Sequence, residues 1–218
     1  MWQNVDRYAY LTTLCHMAAP THRQQLLKLA RRRHGLVTRD VVGAGIHRQV
    51  LSRLVREGEL ERVARGCYRL SEAPITEHHG LALAAAAVPH GVVCLLSALS
   101  FHGIGTQLPH EVWIAIDRRA RRPSLPYPPL RVLRFSGKAL TEAIETHRIE
   151  GERVRVYSVA KTIADAFKYR NKIGLDVALE ALREAWRARR FNMDEIHRVA
   201  RVCRVERVMR PYLEALVG

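Results

Sequence analysis

The sequence predicts an α+β chain, mostly helical, in which an N-terminal winged helix-turn-helix domain precedes a mixed domain with a small β-sheet and a C-terminal helical bundle. Three observations carry this. The fifty or so residues after Thr21 read as helix, helix, helix, hairpin; segments 111–117 and 130–135 alternate like strands; and residues 158–216 return to helical spacing. The expected organisation is an extension at 1–20, a winged helix-turn-helix domain at 21–73 and a second domain at 74–218. Within the second domain the sheet falls near 91–157 and the helices near 158–216.

Each element has a local reason. Thr21 suits the cap of a first helix whose apolar positions Leu26, Leu27, Leu29 and Ala30 recur at helical spacing and which ends near His34-Gly35. Thr38 to Val42 reads as a short second helix stopped by Gly43-Ala44-Gly45, and a third helix runs from about His47 to Glu57, ending at Gly58. Segments 60–63 and 67–70 read as two strands joined by Ala64-Arg65-Gly66, a hairpin signal. Residues 81–88 form an alanine-rich helix too apolar to face water, and 91–104 a second apolar element containing Ser97, Ser100 and His102. Arg148–Ile149 and 154–157 complete the sheet around Gly151. Ser158 and Asn192 suit helix N-caps in the C-terminal bundle, and Gly174 separates two of its helices. No internal repeat or coiled-coil heptad is present.

Thirty-six Lys and Arg against twenty-one Asp and Glu leave a net charge of +15 in 218 residues. That balance points to a polyanionic partner, nucleic acid first and an anionic membrane surface second. No apolar stretch approaches the roughly 20 residues of a membrane span, and the N-terminus lacks the basic start of a signal peptide, so a cytoplasmic protein with no membrane partner is expected. Cys15, Cys67, Cys94 and Cys203 are far apart with no Cys-x-x-Cys pair, which favours buried reduced thiols over disulfides or zinc. No metal or cofactor is expected.

The third helix concentrates the charge. At about 100° per residue, Ile46, Val50, Leu51, Leu54 and Val55 share one half of the helix, while Arg48, Gln49, Ser52, Arg53 and Arg56 share the other. The second group has no acid, whereas solvated faces usually mix signs. Arginine reads guanine edges or phosphates, glutamine reads adenine, and serine serves either. His47 falls within the apolar half by angle and is read as the start of the helix. Arg65 at the hairpin tip, with Arg62 and Arg69 on its strands, is placed like a wing on backbone phosphates, and Arg39 adds to the basic surface. A further loop, residues 118–129, carries Arg118, Arg119, Arg121 and Arg122 and then four prolines. It must be exposed, and is expected to form a second electropositive patch. On the side of the winged helix it would extend a DNA footprint; on the opposite side it would serve RNA or another activity of the second domain.

Several segments resemble the AbiEi family, the antitoxin half of bacterial abortive-infection, type IV toxin–antitoxin pairs. They are Gly35-Leu36-Val37-Thr38, Leu54-Val55-Arg56-Glu57-Gly58-Glu59-Leu60-Glu61-Arg62-Val63, Arg65-Gly66-Cys67-Tyr68, Leu96-Ser97-Ala98-Leu99 with His102-Gly103, Tyr157-Ser158-Val159-Ala160-Lys161-Thr162-Ile163-Ala164-Asp165, and the run from Asn171 to Leu182. The resemblance extends from about Thr21 to the C-terminus and departs at His47, where such proteins often carry a Ser or Thr cap. It implies a DNA-binding antitoxin that represses its own operon, beside a C-terminal domain that neutralises a nucleotidyltransferase-like toxin. Double-stranded operator DNA, in inverted repeats, is the implied partner.

Enzyme readings are weak. A nucleotidyltransferase needs paired acids on a strand, but Asp117 is followed by Arg118-Arg119. The strand at 130–135 has no acid for a nuclease core, and His78-His79 are adjacent rather than four apart. Ser97, Ser100 and His102 lack a Gly-x-Ser-x-Gly elbow and read as hydrogen-bonding groups of the fold. Lys161 and Asp165, four apart on one helix, read either as a stabilising ion pair or as a contact surface for antitoxicity. The alternative function is a winged-helix regulator whose C-terminal domain binds a ligand or another protein, with no toxin. A neighbouring gene encoding a nucleotidyltransferase separates the two.

Overall fold

The computed structural model describes residues 21–33, 36–64, 66–72 and 76–217. The first unit is built from α1 (His22–Arg33), β1 (Leu36–Val37), α2 (Thr38–Gly43), α3 (Arg48–Arg56), β2 (Leu60–Ala64) and β3 (Cys67–Leu70). Thr21 Oγ1 accepts from Gln24 N at 3.3 Å, capping α1. The amide of Ile46 donates back to Val41 O at 3.1 Å across the Gly43-Ala44-Gly45 turn, which sets α3 at an angle to α2. The apolar faces of the three helices meet on Leu26, Ala30, Val41, Ile46, Leu51 and Leu54, closed from below by Leu36 and Leu60. One element was not readable beforehand: β1 is two residues long, too short for an alternation signal, and joins the hairpin to give an antiparallel sheet in the order β1-β3-β2.

The second unit begins with α4 (His79–Ala87), β4 (Val92–Val93) and α5 (Leu95–Phe101). Thus the apolar stretch 91–104 is a strand and a helix rather than one element. The break comes at Cys94-Leu95, where Leu95 takes a φ of +47°. β5 (Val112–Asp117), β6 (Leu130–Phe135), α6 (Lys138–Thr141), β7 (Ile144–Ile149) and β8 (Glu152–Tyr157) follow, and the five strands form a mixed sheet ordered β6-β5-β4-β8-β7. β7 is longer than the Arg148–Ile149 expected, because all six of its residues find partners on β8. Val93, Val112, Val154 and Val156 pack on Leu81, Ala82 and Ala84 of α4, while Trp113, Ala115, Leu133, Phe135 and Tyr157 fill the opposite face.

The sheet tolerates little extra volume at its centre. A Cβ on Gly91 would lie 2.3 Å from Ile114 Cδ1 and 2.7 Å from Cγ1. Gly91→Ala should therefore cost about 1–3 kcal/mol by overpacking, measured as a lower urea midpoint with an unchanged slope.

The C-terminal helices are α7 (Val159–Lys168), α8 (Arg170–Ile173), α9 (Leu175–Arg187), α10 (Met193–Cys203) and α11 (Glu206–Val217). Both expected caps form: Lys161 N donates to Ser158 Oγ at 3.4 Å and Glu195 N to Asn192 Oδ1 at 2.8 Å. Every residue from Val159 to Phe167 is buried, because α7 lies between the sheet and the other helices. Among the described residues no helix is long and apolar enough to cross a membrane.

Candidate nucleic-acid interface

The third helix divides as its periodicity requires. Ile46, Leu51 and Leu54 are buried, while Arg48, Gln49, Ser52, Arg53 and Arg56 are all exposed. His47 is the N-cap: its Nδ1 accepts from Gln49 N at 3.3 Å, so an imidazole does the work of a Ser or Thr hydroxyl and the helix starts where expected. The polar face is not uniform. Arg53 Nε donates to Glu57 at 2.8 Å and Arg56 Nε reaches Ser52 O at 3.4 Å, whereas Arg48 has no acidic partner among the described residues. Arg39 is exposed on α2 and Arg62 on β2. Arg65 lies outside the described residues. Its neighbour Gly66 is fixed, since Gly66 O accepts from Thr38 N at 2.8 Å and from Thr38 Oγ1 at 3.2 Å, which ties the hairpin turn to the start of α2. Arg69 pairs with Glu61 across the hairpin.

The 118–129 loop is brought to this same helix. Arg118, Arg119, Arg121 and Arg122 are exposed. The base of the loop is held firmly: Arg134 Nη1 donates to the carbonyls of Asp117, Arg118 and Ala120 at 3.4, 2.7 and 2.9 Å. Asp117 Oδ1 accepts from Arg119 N at 2.7 Å, so the carboxylate weighed as a metal ligand shapes a turn. Further along, Ser124 and Pro126 line a shallow groove with Thr38, Arg48, Ser52 and Gly66. A larger cleft of about 1160 Å³ adjoins it, sharing Tyr68, Ser124 and Pro126. Its walls are α2 and the hairpin on one side and α4 with the β7–β8 turn on the other, and seven arginines line it against Asp40 and Glu152. Arg148, Arg153 and Arg155 in that lining were not identified from the sequence. Their signal was the alternation Arg153-Val154-Arg155-Val156, which marks a strand with one basic face.

Glu150 fixes one wall of the cleft. Its side chain is buried at a residue with φ +49° and accepts from Thr76 N at 3.1 Å and Thr76 Oγ1 at 2.8 Å, with His79 Nδ1 at 2.6 Å. Burial pushes this carboxyl up, but the hydrogen bonds from His79 and Thr76 prevail and hold it below its ordinary 4.5. A carboxyl depressed by folding stabilises the fold above its unfolded value and loses that contribution as pH falls through the folded value. Glu150→Ala should cost about 1–3 kcal/mol at pH 7, and the cost should shrink as pH falls through the folded value, as read by urea unfolding over an acid pH series.

One expectation is corrected. Lys161 and Asp165 offer no contact surface, because both side chains are fully enclosed. Lys161 Nζ donates to Asp165 Oδ2 at 2.5 Å, Cys203 Sγ to Asp165 Oδ1 at 3.3 Å, and the ammonium lies 4.1 Å from the Tyr157 ring centre. Burial raises the Asp165 carboxyl against the pull of Lys161. The pair was enclosed because α7 is covered on every side, which its own apolar pattern does not reveal.

Ser97 and His102 bind the fold as expected. Ser97 Oγ accepts from Trp113 N at 2.9 Å and donates to Glu111 O at 3.3 Å, and His102 Nε2 meets Tyr157 O at 2.8 Å. Cys67, Cys94 and Cys203 are buried free thiols; Cys15 lies outside the described residues. Among the described residues no group of three or more His, Cys, Asp or Glu side chains is placed to hold a metal.

Three helices, a hairpin and an exposed basic third helix define a winged helix-turn-helix unit of the kind transcription regulators use. Residues 24–71 match the family model described as transcriptional regulator, AbiEi antitoxin, which supports a DNA-binding regulator. No curated protein matches the chain. Among solved structures, the Rv2827c protein from Mycobacterium tuberculosis is similar over 84% of this chain and 72% of that one, with a TM-score of 0.54 and 15% identity. At that identity the likeness is one of fold.

Proposed function

We propose that this protein is a DNA-binding antitoxin that represses its own operon and counteracts a nucleotidyltransferase-like toxin. The exposed face of α3, with Arg48, Gln49 and Ser52 beside the hairpin turn, is the observation that carries the DNA half. In this reading Arg48, Gln49 and Ser52 meet base edges in the major groove, while Arg39, Arg53, Arg56, Arg62 and Arg65 meet phosphates. The Arg53–Glu57 pair does not oppose this, since an exposed ion pair is worth only about 0–1 kcal/mol and a phosphate can replace it. Binding to inverted repeats upstream of the operon would exclude polymerase.

The toxin half is supported by the family match and by the motifs that the second unit shares with such antitoxins. A reporter fused to the DNA upstream of this gene should be repressed by the wild-type chain and released by Arg48→Ala/Gln49→Ala. Co-expression of either chain with a nucleotidyltransferase encoded beside its gene should restore growth. A reporter indifferent to the wild-type protein would refute the repressor half, and growth arrest despite co-expression would refute the antitoxin half.

A further inference from the structure

We infer that the cleft between the two units is an effector site for a purine nucleoside triphosphate, and that its occupancy weakens the hold of α3 on DNA. The binding half stands on the cleft alone; the regulatory half rests on the DNA reading above. At about 1160 Å³ the cleft is larger than the roughly 300–1,000 Å³ of ordinary small-ligand pockets, and it lies where two units meet, as such pockets often do. Its lining is of two kinds. Tyr68, Tyr127, Leu83, Pro89 and Pro123 offer aromatic and apolar surface, and seven arginines stand among them. A ligand that is flat at one end and polyanionic at the other suits both, stacking on a tyrosine while guanidinium groups hold its phosphates. A stiff duplex cannot enter between the units to reach the tyrosines; a single nucleotide can.

The phosphate end is set by β7 and β8. Arg148 and Arg153 stand directly opposite each other, and Arg155 lies on the same face two residues on. Arg148 and Arg153 are exposed with no acidic partner among the described residues, and Arg155 is committed only to the neutral carbonyl of His90, at 3.2 Å. Like charges in that register oppose strand pairing. A phosphate between them replaces repulsion with charge-assisted hydrogen bonds. The cleft is also coupled to α3 by shared parts. Tyr68, Ser124 and Pro126 line both the cleft and the groove beside Arg48 and Ser52, and Arg39, assigned above to DNA phosphates, lines the cleft as well. A bound triphosphate engages Arg39 and sets negative charge beside the DNA-binding face, which repels the duplex. Such coupling is reciprocal, so the duplex weakens the nucleotide by the same factor.

The test is calorimetry on the full chain without DNA, at about 0.15 M salt, with ATP and GTP as probes and adenosine, guanosine and tripolyphosphate as their separate parts. At least one of the two nucleotides should bind saturably and more tightly than either of its parts. Arg148→Ala/Arg153→Ala should weaken nucleotide and tripolyphosphate alike, by about tenfold or more. Tyr127→Ala should weaken the nucleotide by about fivefold or more and leave tripolyphosphate unchanged. The melting temperature of Arg148→Ala/Arg153→Ala should not fall, because a like-charge pair is removed.

No saturable binding of either nucleotide by the wild type, or binding no tighter than that of tripolyphosphate, would overturn the inference whatever the variants do. Added at saturation and matched ionic strength, the bound nucleotide should weaken wild-type affinity for the upstream duplex by about fivefold or more. Arg148→Ala/Arg153→Ala, compared with itself without nucleotide, should not respond at that concentration. Saturable nucleotide binding with unchanged affinity for the duplex would overturn the regulatory half. A wild type without operator preference would instead defeat the functional reading, and the expected pattern of nucleotide binding would still support the site.

Discussion

Replacing Lys161 by Met should lower the unfolding free energy by about 3–5 kcal/mol, and Asp165→Leu should do the same. Both side chains are enclosed, so removing either leaves its partner as an unpaired charge away from water. The loss is local as well as electrostatic. Asp165 also accepts from Cys203 on α10, and Lys161 lies over Tyr157 and Phe135, so the pair joins α7 to α10 and to the sheet. The double replacement Lys161→Met/Asp165→Leu removes both desolvation penalties and should recover most of the stability. Urea unfolding of the four proteins closes the cycle. A double variant no better than the worse single one would mean that the pair is retained for packing rather than for charge balance.

The second large effect concerns sequence preference. Gln49→Ala or Arg48→Ala should each cost about 1–3 kcal/mol at the operator while leaving random DNA nearly unaffected. Both residues lie in the first turn of α3, the end of a recognition helix that approaches base edges, and neither has an acidic partner among the described residues. Arg65→Ala, between β2 and β3 in sequence, should weaken both kinds of DNA alike and reduce the slope magnitude by about one. The reverse pattern, with Arg65 setting preference and Gln49 only affinity, would make the hairpin the reader.

The first unit was legible because its signals are local. Gly43-Ala44-Gly45 stops one helix, the apolar half of α3 packs inward and its polar half stays exposed, and Gly66 stands in the turn before β3. The strands at 112–117 and 130–135 were legible as short runs of strand-forming residues, although β5 is buried at five successive positions rather than at alternate ones. What escaped depends on chain crossings. The pairing of β4 with β8 joins Val93 to Val156, far apart in sequence, and no local period encodes it. The enclosure of Lys161 and Asp165 follows from the same long-range packing. So does the meeting of Arg121 and Arg122, expected from the sequence as an exposed basic loop, with Arg148 and Arg153 in one cleft.

The central claim is that α3 gives this protein a preferred DNA sequence, and a competition measurement at about 0.15 M salt tests it most directly. The full chain is bound to the duplex upstream of its own gene and challenged with a shuffled duplex of equal length and composition. The expected preference for the upstream duplex is at least about 10³-fold, and Arg48→Ala/Gln49→Ala should abolish most of it. Equal affinity for the two duplexes would contradict the claim and reduce the basic surface to nonspecific electrostatic attraction.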